Sequence, residues 1–248
     1  MRKNILVLYV LSFCFLTQAA QVFGQAPESD YPKKGYIGVS FGSSSAVGAW
    51  ATNNTGNIYA TGGYNFDILY GTKFSKYFGF TADLRVAGNG SELIYDPSGG
   101  LTISNLGTFS YVGIMVGAYG EYPLTKRLYL DGKIMIGDLT FTQPGFNINY
   151  TDPSTNTTYN NVATVNSASS NAFSYLLSIG LNYDLSRRFN IFWNINYLGS
   201  TSINFTSDVT ITNPSNNSTI DQKINNNYSV QTINTSIGLA WRFLAKQS

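Results

Sequence analysis

The stretch QTINTSIGLAWRF, residues Gln231 to Phe243, decides the fold of this chain. From Ile233 to Phe243 every second residue is apolar or aromatic apart from Thr235, and the residues between them are small or polar. Alternation with a period of two is typical of a β-strand. The polar side chains occupy the face that would form the core of a soluble sheet. The pattern therefore predicts the closing strand of a barrel whose outer face contacts lipid.

The composition of the chain favours the same interpretation. Charged residues make up 11% of the 248 residues, whereas soluble domains contain roughly 25%. The chain is rich in tyrosine (18) and phenylalanine (16), and its net charge of +2 is too small to indicate a nucleic-acid partner. A membrane barrel needs apolar residues only at alternate positions, so an average apolar content is sufficient. A secreted soluble β-sandwich is the alternative that the composition leaves open.

The N-terminus has the pattern of a secretory signal. Arg2 and Lys3 precede an apolar run, Ile5–Leu16, which is followed by small and polar residues. The run is too short to cross a membrane as a helix. We therefore predict a signal peptide over residues 1–24 and a periplasmic linker over residues 25–34.

Several kinds of catalytic chemistry are missing from the sequence. It contains no histidine, and its one cysteine, Cys14, lies in the predicted signal peptide. These absences exclude a Ser-His-Asp site, a histidine metal site and thiol catalysis in the mature chain. No carboxylates have calcium-loop spacing, and no glycine-rich phosphate loop is present. We therefore predict a protein that is not an enzyme and holds no metal or other cofactor.

Alternating segments recur along the chain and predict an all-β fold. We expect an eight-stranded antiparallel transmembrane β-barrel over residues 35–243, followed by a short tail over residues 244–248. The predicted strands are Gly35–Ser44, Thr61–Phe74, Tyr77–Ala87, Gly107–Tyr122, Arg127–Phe141, Asn171–Leu185, Arg188–Ile203 and Gln231–Phe243.

The connections between the predicted strands alternate in length. Tight turns join the second strand to the third, the fourth to the fifth and the sixth to the seventh, and the other connections are long and polar. Outer-membrane barrels have this asymmetry of short periplasmic turns and long external loops. Asp96-Pro97, Asp152-Pro153 and Asn213-Pro214 lie midway along three of the long connections. Because such pairs favour turns, we expect the strands to continue beyond the membrane as hairpins.

Charged residues share the face opposite the apolar one. An outward lysine or arginine at the bilayer centre would cost about 2–4 kcal/mol, so the physics places this set inside the barrel. We predict a salt-bridged plug in a narrow lumen, with Asp67 near Arg85 and Glu121 near Lys133. The alternative is that these charges lie near the rims and are solvated there. The set comprises Asp67, Lys73, Asp83, Arg85, Glu121, Asp131, Lys133, Asp184 and Arg242.

One acidic residue does not fit this division of the two faces. Asp138 falls on the apolar face, close to the outer end of its predicted strand, where water is accessible. Aromatic residues on that face concentrate at the strand ends and predict two interfacial belts. The belt beside the short turns comprises Phe74, Phe78, Tyr122, Tyr183, Phe189, Trp241 and Phe243, and that beside the long loops comprises Tyr64, Phe66, Phe173, Tyr175 and Tyr197.

The C-terminal residues Ser236-x-Gly238-x-x-Trp241-x-Phe243 fit the pattern polar-x-Gly-x-x-aromatic-x-aromatic. With these and the strands from Gly35 onward, the chain resembles the small outer-membrane barrels of the OmpA/OmpX type, especially the outer membrane protein β-barrel domain or porin-like family of Gram-negative bacteria. The resemblance implies Sec export with cleavage of the signal peptide, residence in outer-membrane lipid, and recognition of the motif by the barrel-assembly machinery. The residues before Gln25 resemble those of Bacteroidetes exports.

Three functions remain open at this point. The first is a non-enzymatic outer-membrane protein that presents long surface hairpins for envelope structure or for an extracellular ligand that the sequence does not identify. The second is a narrow porin-like channel for small solutes. The third is a membrane-embedded enzyme acting on lipid or peptide, which the missing histidine disfavours.

Overall fold

The computed structural model of the chain describes residues 33–51, 58–93, 100–214, 216 and 218–244. The predicted signal peptide, most of the predicted linker, Asp96-Pro97 and the last four residues lie outside the described residues. The strands are β1 (Lys33–Ala46), β2 (Ile58–Lys73), β3 (Phe78–Leu93), β4 (Leu101–Ser104), β5 (Phe109–Pro123), β6 (Leu128–Gln143), β7 (Phe146–Thr151), β8 (Thr158–Val165), β9 (Ala168–Asp184), β10 (Phe189–Thr212) and β11 (Thr219–Leu244).

Eight of these strands close into a ring. The order is β1-β2-β3-β5-β6-β9-β10-β11, every pairing is antiparallel, and β11 pairs with both β10 and β1. The predicted eight-stranded antiparallel barrel is thereby confirmed. β1 begins at Lys33 and β11 ends at Leu244, so the barrel is slightly longer at both termini than the sequence indicated.

The three short turns share one hydrogen bond between a side chain and the backbone. In each turn a hydroxyl oxygen accepts a hydrogen bond from the backbone N–H three residues later, which satisfies a donor that the ladder leaves free. The pairs are Ser75 with Phe78 at 2.9 Å, Thr125 with Leu128 at 3.0 Å and Ser186 with Phe189 at 3.1 Å. We call the end of the barrel that carries these turns the turn end and the opposite end the loop end.

The outer wall of the ring is apolar, as the alternation predicts. On β11 Ile237 and Trp241 are 58% and 43% exposed, whereas Asn234 and Ser236, on the opposite parity of the same strand, are buried. Ile233 and Phe243 are ten residues apart on this strand. At about 3.3 Å per residue and a tilt of about 40°, that length gives a band roughly 25 Å tall, the height expected of a lipid-facing girdle.

The aromatic belts and Asp138, the one acid on the apolar face, lie where the sequence places them. Phe74, Phe78 and Trp241 are exposed on the outer wall at the turn end, and Tyr64 and Phe173 are exposed there nearer the loop end. The side chain of Asp138 is also exposed, close to the loop end of β6. Its Cα partners are Ile114 and Phe173, which lie on the outer wall.

An external sheet extends the barrel beyond its rim at the loop end. Beyond an irregularity between Gly199 and Ser202, the β10–β11 hairpin continues in register as far as Thr212 and Thr219. β8 pairs with the outer part of β10, β7 pairs with β8, and β4 pairs with β7. The expected continuation of the strands as hairpins is therefore present, and the turns at Asp152-Pro153 and Asn213-Pro214 lie at the tips of two of them.

The only helix in the described ranges is the short 3₁₀ turn Gly48–Ala51. None of the described residues forms a helix long and apolar enough to cross a membrane.

Candidate functional site

The interior of the barrel contains the largest concentration of buried charge in the described residues, and Arg85 lies near its centre. The Arg85 side chain is 2% exposed. Its Nε lies 2.7 Å from Asp67 Oδ1 on the neighbouring strand, and its Nη2 lies 3.1 Å from Asp83 Oδ2 on the same strand. Ser40 Oγ and Asn65 Nδ2 donate to the other oxygen of Asp67 at 3.0 and 3.1 Å. The two ion pairs and two hydrogen bonds offset part of the cost of removing these charges from water.

A second group of charges connects four strands across the turn end of the lumen. Arg242 on β11 lies 3.0 Å from Asp184 on β9 and 3.3 Å from Glu121 on β5. Lys73 on β2 lies 2.7 Å from the other oxygen of Glu121. The guanidinium of Arg242 also lies 5.3 Å from the ring centroid of Tyr129. Because β2, β5, β9 and β11 are separated around the ring, these ion pairs tie opposite walls together.

The third group is local to β6 and differs from the expectation. Lys133 Nζ lies 3.1 Å from Asp131 Oδ2 on the same strand. We expected Glu121 to lie near Lys133, and in the β5–β6 ladder the Cα partner of Glu121 is Asp131, whereas Lys133 faces Tyr119. The ion pairs of Glu121 are with Lys73 and Arg242 across the lumen.

Little space is left between these charges. The cavity that they enclose has a volume of about 20 Å³ and is lined by Tyr36, Glu121, Lys133, Arg242 and neighbouring side chains. A water molecule needs about 10–15 Å³ on this measure, so the cavity holds about one water. Around this cavity the lumen is thus filled by ion-paired, polar and apolar side chains.

The half of the lumen towards the loop end contains a large buried apolar cluster, which the sequence analysis did not predict. Its buried cluster includes large side chains on the same parity as the charges, among them Tyr111, Met115, Leu139 and Phe141. The shared parity is visible in the sequence. Because we expected a polar interior, we did not predict that these apolar side chains face inward. We refer to these buried residues together as the upper cluster. They are Trp50, Ala60, Ala87, Phe109, Tyr111, Met115, Met135, Leu139, Phe141, Ala168, Ala172, Leu176, Leu198, Ile203, Phe205 and Val230.

Trp50 inserts into the upper cluster from the β1–β2 connection. Its ring lies 5.6 Å from Phe109 and 6.3 Å from Tyr111, and its side chain is 3% exposed. Gly48 makes this possible because its φ of 63° lies in the left-handed region, where glycine is favoured. A Cβ at Gly48 would also lie 2.2 Å from the side chain of Gln231. The sequence signal was a single tryptophan in an otherwise small and polar connection.

The four residues of the predicted assembly motif divide between the two sides of the wall. Ser236 is buried inside the barrel, whereas Trp241 is exposed on the outer wall and its ring lies 5.2 Å from that of Phe243. Gly238 faces the interior opposite Phe192, its Cα partner on β10. A Cβ at Gly238 would lie 2.2 Å from the Phe192 ring and 2.4 Å from the carbonyl oxygen of Val39. The glycine of the motif therefore has a packing role in the folded barrel.

Replacing Gly238 with valine is expected to destabilise the folded barrel by about 1–3 kcal/mol, because the new side chain overpacks the contact with Phe192. Gly62→Val is the matched control, since a Cβ at Gly62 would meet nothing within 4 Å. Urea unfolding of both variants in lipid vesicles measures the difference. Equal stability of the two variants would contradict a packing role for Gly238.

The described residues contain no group of three or more cysteine, histidine, aspartate or glutamate side chains placed to hold a metal ion. The interior acids are bound by arginine and lysine at the distances given above. The described interior therefore contains ion pairs and packed apolar side chains.

Comparisons with known proteins agree with this architecture. The sequence profile described as "outer membrane protein beta-barrel domain" matches residues 6–243. A search of curated proteins finds no match. Among solved structures, the chain is similar to OprG from Pseudomonas aeruginosa, with 11% identity, a TM-score of 0.49, and coverage of 88% of this chain and 100% of that one.

Two further solved structures show similarity of the same order. Ail, the attachment invasion locus protein of Yersinia pestis, has 12% identity and a TM-score of 0.41 over 86% of this chain and 99% of that one. The outer membrane protease OmpT from Escherichia coli has 10% identity and a TM-score of 0.45 over 85% and 94%. Function does not follow from similarity at this level. The match of the family profile over nearly the whole chain assigns the protein to the outer membrane protein β-barrel domain family, and hence to the outer membrane.

Proposed function

We propose that this protein is a non-enzymatic outer-membrane barrel that holds a β-sheet at the cell surface, for envelope structure or for binding an extracellular partner. The observation that carries the proposal is the filling of the lumen. The turn end and the middle of the lumen hold the ion pairs of Arg242, Lys133 and Arg85, and the loop end holds the upper cluster. A barrel filled in this way serves as a rigid anchor.

The external sheet supports the surface role. Its β10–β11 hairpin carries a polar face on which cross-strand side chains bind each other. Thr206 Oγ1 donates to Asn225 and Thr210 Oγ1 donates to Asp221, each at 2.8 Å. Such cross-strand pairs stabilise a sheet. The hairpin therefore presents an ordered polar surface outside the membrane, and ordered surfaces lose less entropy when a partner binds.

We propose that the chain reaches this position as a Sec-exported precursor whose signal peptide, residues 1–24, is cleaved before Gln25. We also propose that the barrel-assembly machinery recognises Ser236, Gly238, Trp241 and Phe243. The exposure of Trp241 on the outer wall beside the turn end supports this role, because an outward side chain is available to a partner during insertion. The Bacteroidetes origin stays an expectation from the sequence.

A narrow channel is the principal competing function, and conductance separates it from the proposal. The purified protein in a planar bilayer is expected to show no steady openings, because both halves of the lumen are filled by packed side chains. The matched variant is Trp50→Ala, which removes the aromatic ring inserted from the β1–β2 connection while leaving every ion pair in place. Large, steady openings of the unmodified protein would refute the proposal and favour the channel.

The surface role also predicts the direction in which the barrel crosses the membrane. A peptide tag inserted after Asn216, at the tip of the β10–β11 hairpin, should be labelled by antibody on intact cells. The same tag inserted after Ser75, in the β2–β3 turn, should be labelled only after the outer membrane is permeabilised. Labelling of the Ser75 tag on intact cells would show that the turn end faces outward and would remove the surface role of the external sheet.

A further inference from the structure

The outer wall of the barrel has a groove between β3 and β9, where β5 and β6 present the small residues Ala118, Gly120 and Gly132. Gly120 and Gly132 are Cα partners on β5 and β6, and both lie on the outward parity. Two adjoining cavities, of about 550 and 290 Å³, open at this position and share Phe78, Gly120, Gly132 and Ile179 in their linings. Volumes of about 300–1,000 Å³ are typical of sites for small molecules.

Packing within the described chain does not account for these two glycines. A Cβ at Gly120 would lie 3.5 Å from the Phe78 ring, and one at Gly132 would lie 3.7 Å from the Ser178 carbonyl oxygen. Both distances are ordinary van der Waals contacts. Neither glycine has a positive φ. By contrast, a Cβ at Gly238 or Gly180 would collide with a neighbouring side chain. The missing side chains at positions 120 and 132 therefore create space only on the outside of the barrel.

The groove is apolar along its length and has a basic lower end. Ile195 and Tyr197 line it towards the loop end, and Tyr77 and Tyr122 line it towards the turn end. Lys76 Nζ lies 5.3 Å from the ring centroid of Tyr77, so a cation stands directly beside the lower cavity. A second cation, Lys126, lies in the turn that joins the strands of Gly120 and Gly132.

The two acids in the lining of the lower cavity form ion pairs inside the barrel. Glu121 and Asp131 contribute to the lining of the lower cavity, but both residues are buried and pair with cations inside the barrel. The three short turns contain lysine and arginine and no acidic residue. The groove thus has an apolar surface that is continuous with the lipid-facing band. At its lower end, cations lie at the level of the periplasmic headgroups.

We propose that this groove binds one acyl chain of an anionic phospholipid, whose phosphate contacts Lys76 and Lys126. The occupant is a lipid because the groove opens into the apolar girdle, where acyl chains are the surrounding solvent. The phosphate follows from charge complementarity, since a phosphate at an interface is attracted to adjacent lysines. The barrel therefore carries a defined site for a lipid of the periplasmic leaflet.

Native mass spectrometry of the folded protein in detergent micelles tests the site, with dipalmitoyl phosphatidylglycerol as the probe. The unmodified protein is expected to retain one lipid. Gly132→Phe, which fills the groove from outside, and the double variant Lys76→Gln/Lys126→Gln should each weaken retention about tenfold, the equivalent of about 1.4 kcal/mol. The matched controls are Leu239→Phe, on the outer wall of β11, and Arg188→Gln, in the β9–β10 turn. Both controls should retain the lipid as the unmodified protein does.

Two fragments of the probe separate the contributions of chain and phosphate. Dipalmitoylglycerol has the chains without the phosphate, and inorganic phosphate has the charge without the chains. Each should bind at least tenfold more weakly than the whole lipid. Equal retention of the lipid by Gly132→Phe and Leu239→Phe would overturn the proposal, as would phosphate binding as tightly as the lipid. A dimer that disappears in Gly132→Phe would also overturn it, because a second copy would then cover the groove.

Folding of each variant is checked by the shift in gel migration between heated and unheated samples. If Gly132→Phe does not fold, Ala118→Phe takes its place, since Ala118 is exposed in the upper cavity of the same groove. The same outcomes then decide the proposal.

Discussion

Replacing Arg85 with methionine is expected to lower the free energy of unfolding by about 3–5 kcal/mol, because it leaves buried carboxylates without their counter-charge. Arg85 lies between Asp67 and Asp83 at 2.7 and 3.1 Å, and all three side chains are almost completely buried. Methionine keeps most of the length of the side chain, so the loss is of charge and hydrogen bonds more than of volume. Urea unfolding in lipid vesicles, followed by tryptophan fluorescence, measures the change.

An exposed ion pair provides the matched control. Lys223 Nζ lies 3.9 Å from Asp208 on the external hairpin, where the side chains are 73% and 64% exposed. Solvent and salt screen such a pair, so Lys223→Met should change the stability by less than about 1 kcal/mol. Equal effects of Arg85→Met and Lys223→Met would show that the interior charges are solvated, which is the alternative that the sequence left open.

Removing the whole central group should cost less than removing its cation. The triple variant Asp67→Asn/Asp83→Asn/Arg85→Met has no charge left to bury, and replacements of complete buried ion pairs are often neutral. We expect it to regain most of the stability lost by Arg85→Met. If the triple variant is as unstable as the single one, the loss comes from packing around position 85 and the unpaired carboxylates are not its cause.

The pairing of Asp67 with Arg85 could be predicted because the two residues lie on strands joined by a tight turn. Hairpin register is local information, and the β2–β3 turn positions Asp67 opposite Arg85. The partners of Glu121 could not be obtained in this way. Lys73 and Arg242 reach it from β2 and β11 across the lumen. Contacts of that kind depend on closure of the whole ring, which alternation in one strand does not specify.

β10 continues past the predicted strand, as expected of a surface hairpin, but its two faces exchange along the way. The predicted strand ends at Ile203, whereas β10 continues to Thr212. The register with β11 shifts between Gly199 and Ser202, so the inward parity changes from even positions such as Leu198 to odd positions such as Phe205. Ser200 Oγ accepts a hydrogen bond from the backbone N–H of Val230 at 2.9 Å and occupies the ladder at the irregularity. A bulge shifts the alternation of inward and outward residues by one position. In the sequence, such a shift looks like the end of a strand.

Placing arginine at position 237 is expected to cost about 2–4 kcal/mol of folded stability in vesicles and to reduce the amount of folded protein in the outer membrane. Ile237 is near the middle of the apolar band and is 58% exposed. Its Cα partners, Phe41 and Trp193, are also exposed on the outer wall. The guanidinium would therefore be surrounded by acyl chains, with no neighbouring acid.

Ile224→Arg is the matched control because it introduces the same side chain on the same strand. Ile224 is 45% exposed, but its Cα partner is Ser207 on the external part of the β10–β11 hairpin. If water surrounds that hairpin, the substitution should change stability by no more than about 0.5 kcal/mol. The two variants thus locate the upper boundary of the membrane between positions 237 and 224 of a single strand. Equal tolerance of arginine at both positions would mean that the exposed apolar wall does not face lipid, and the orientation of every side chain in the barrel would have to be reassigned.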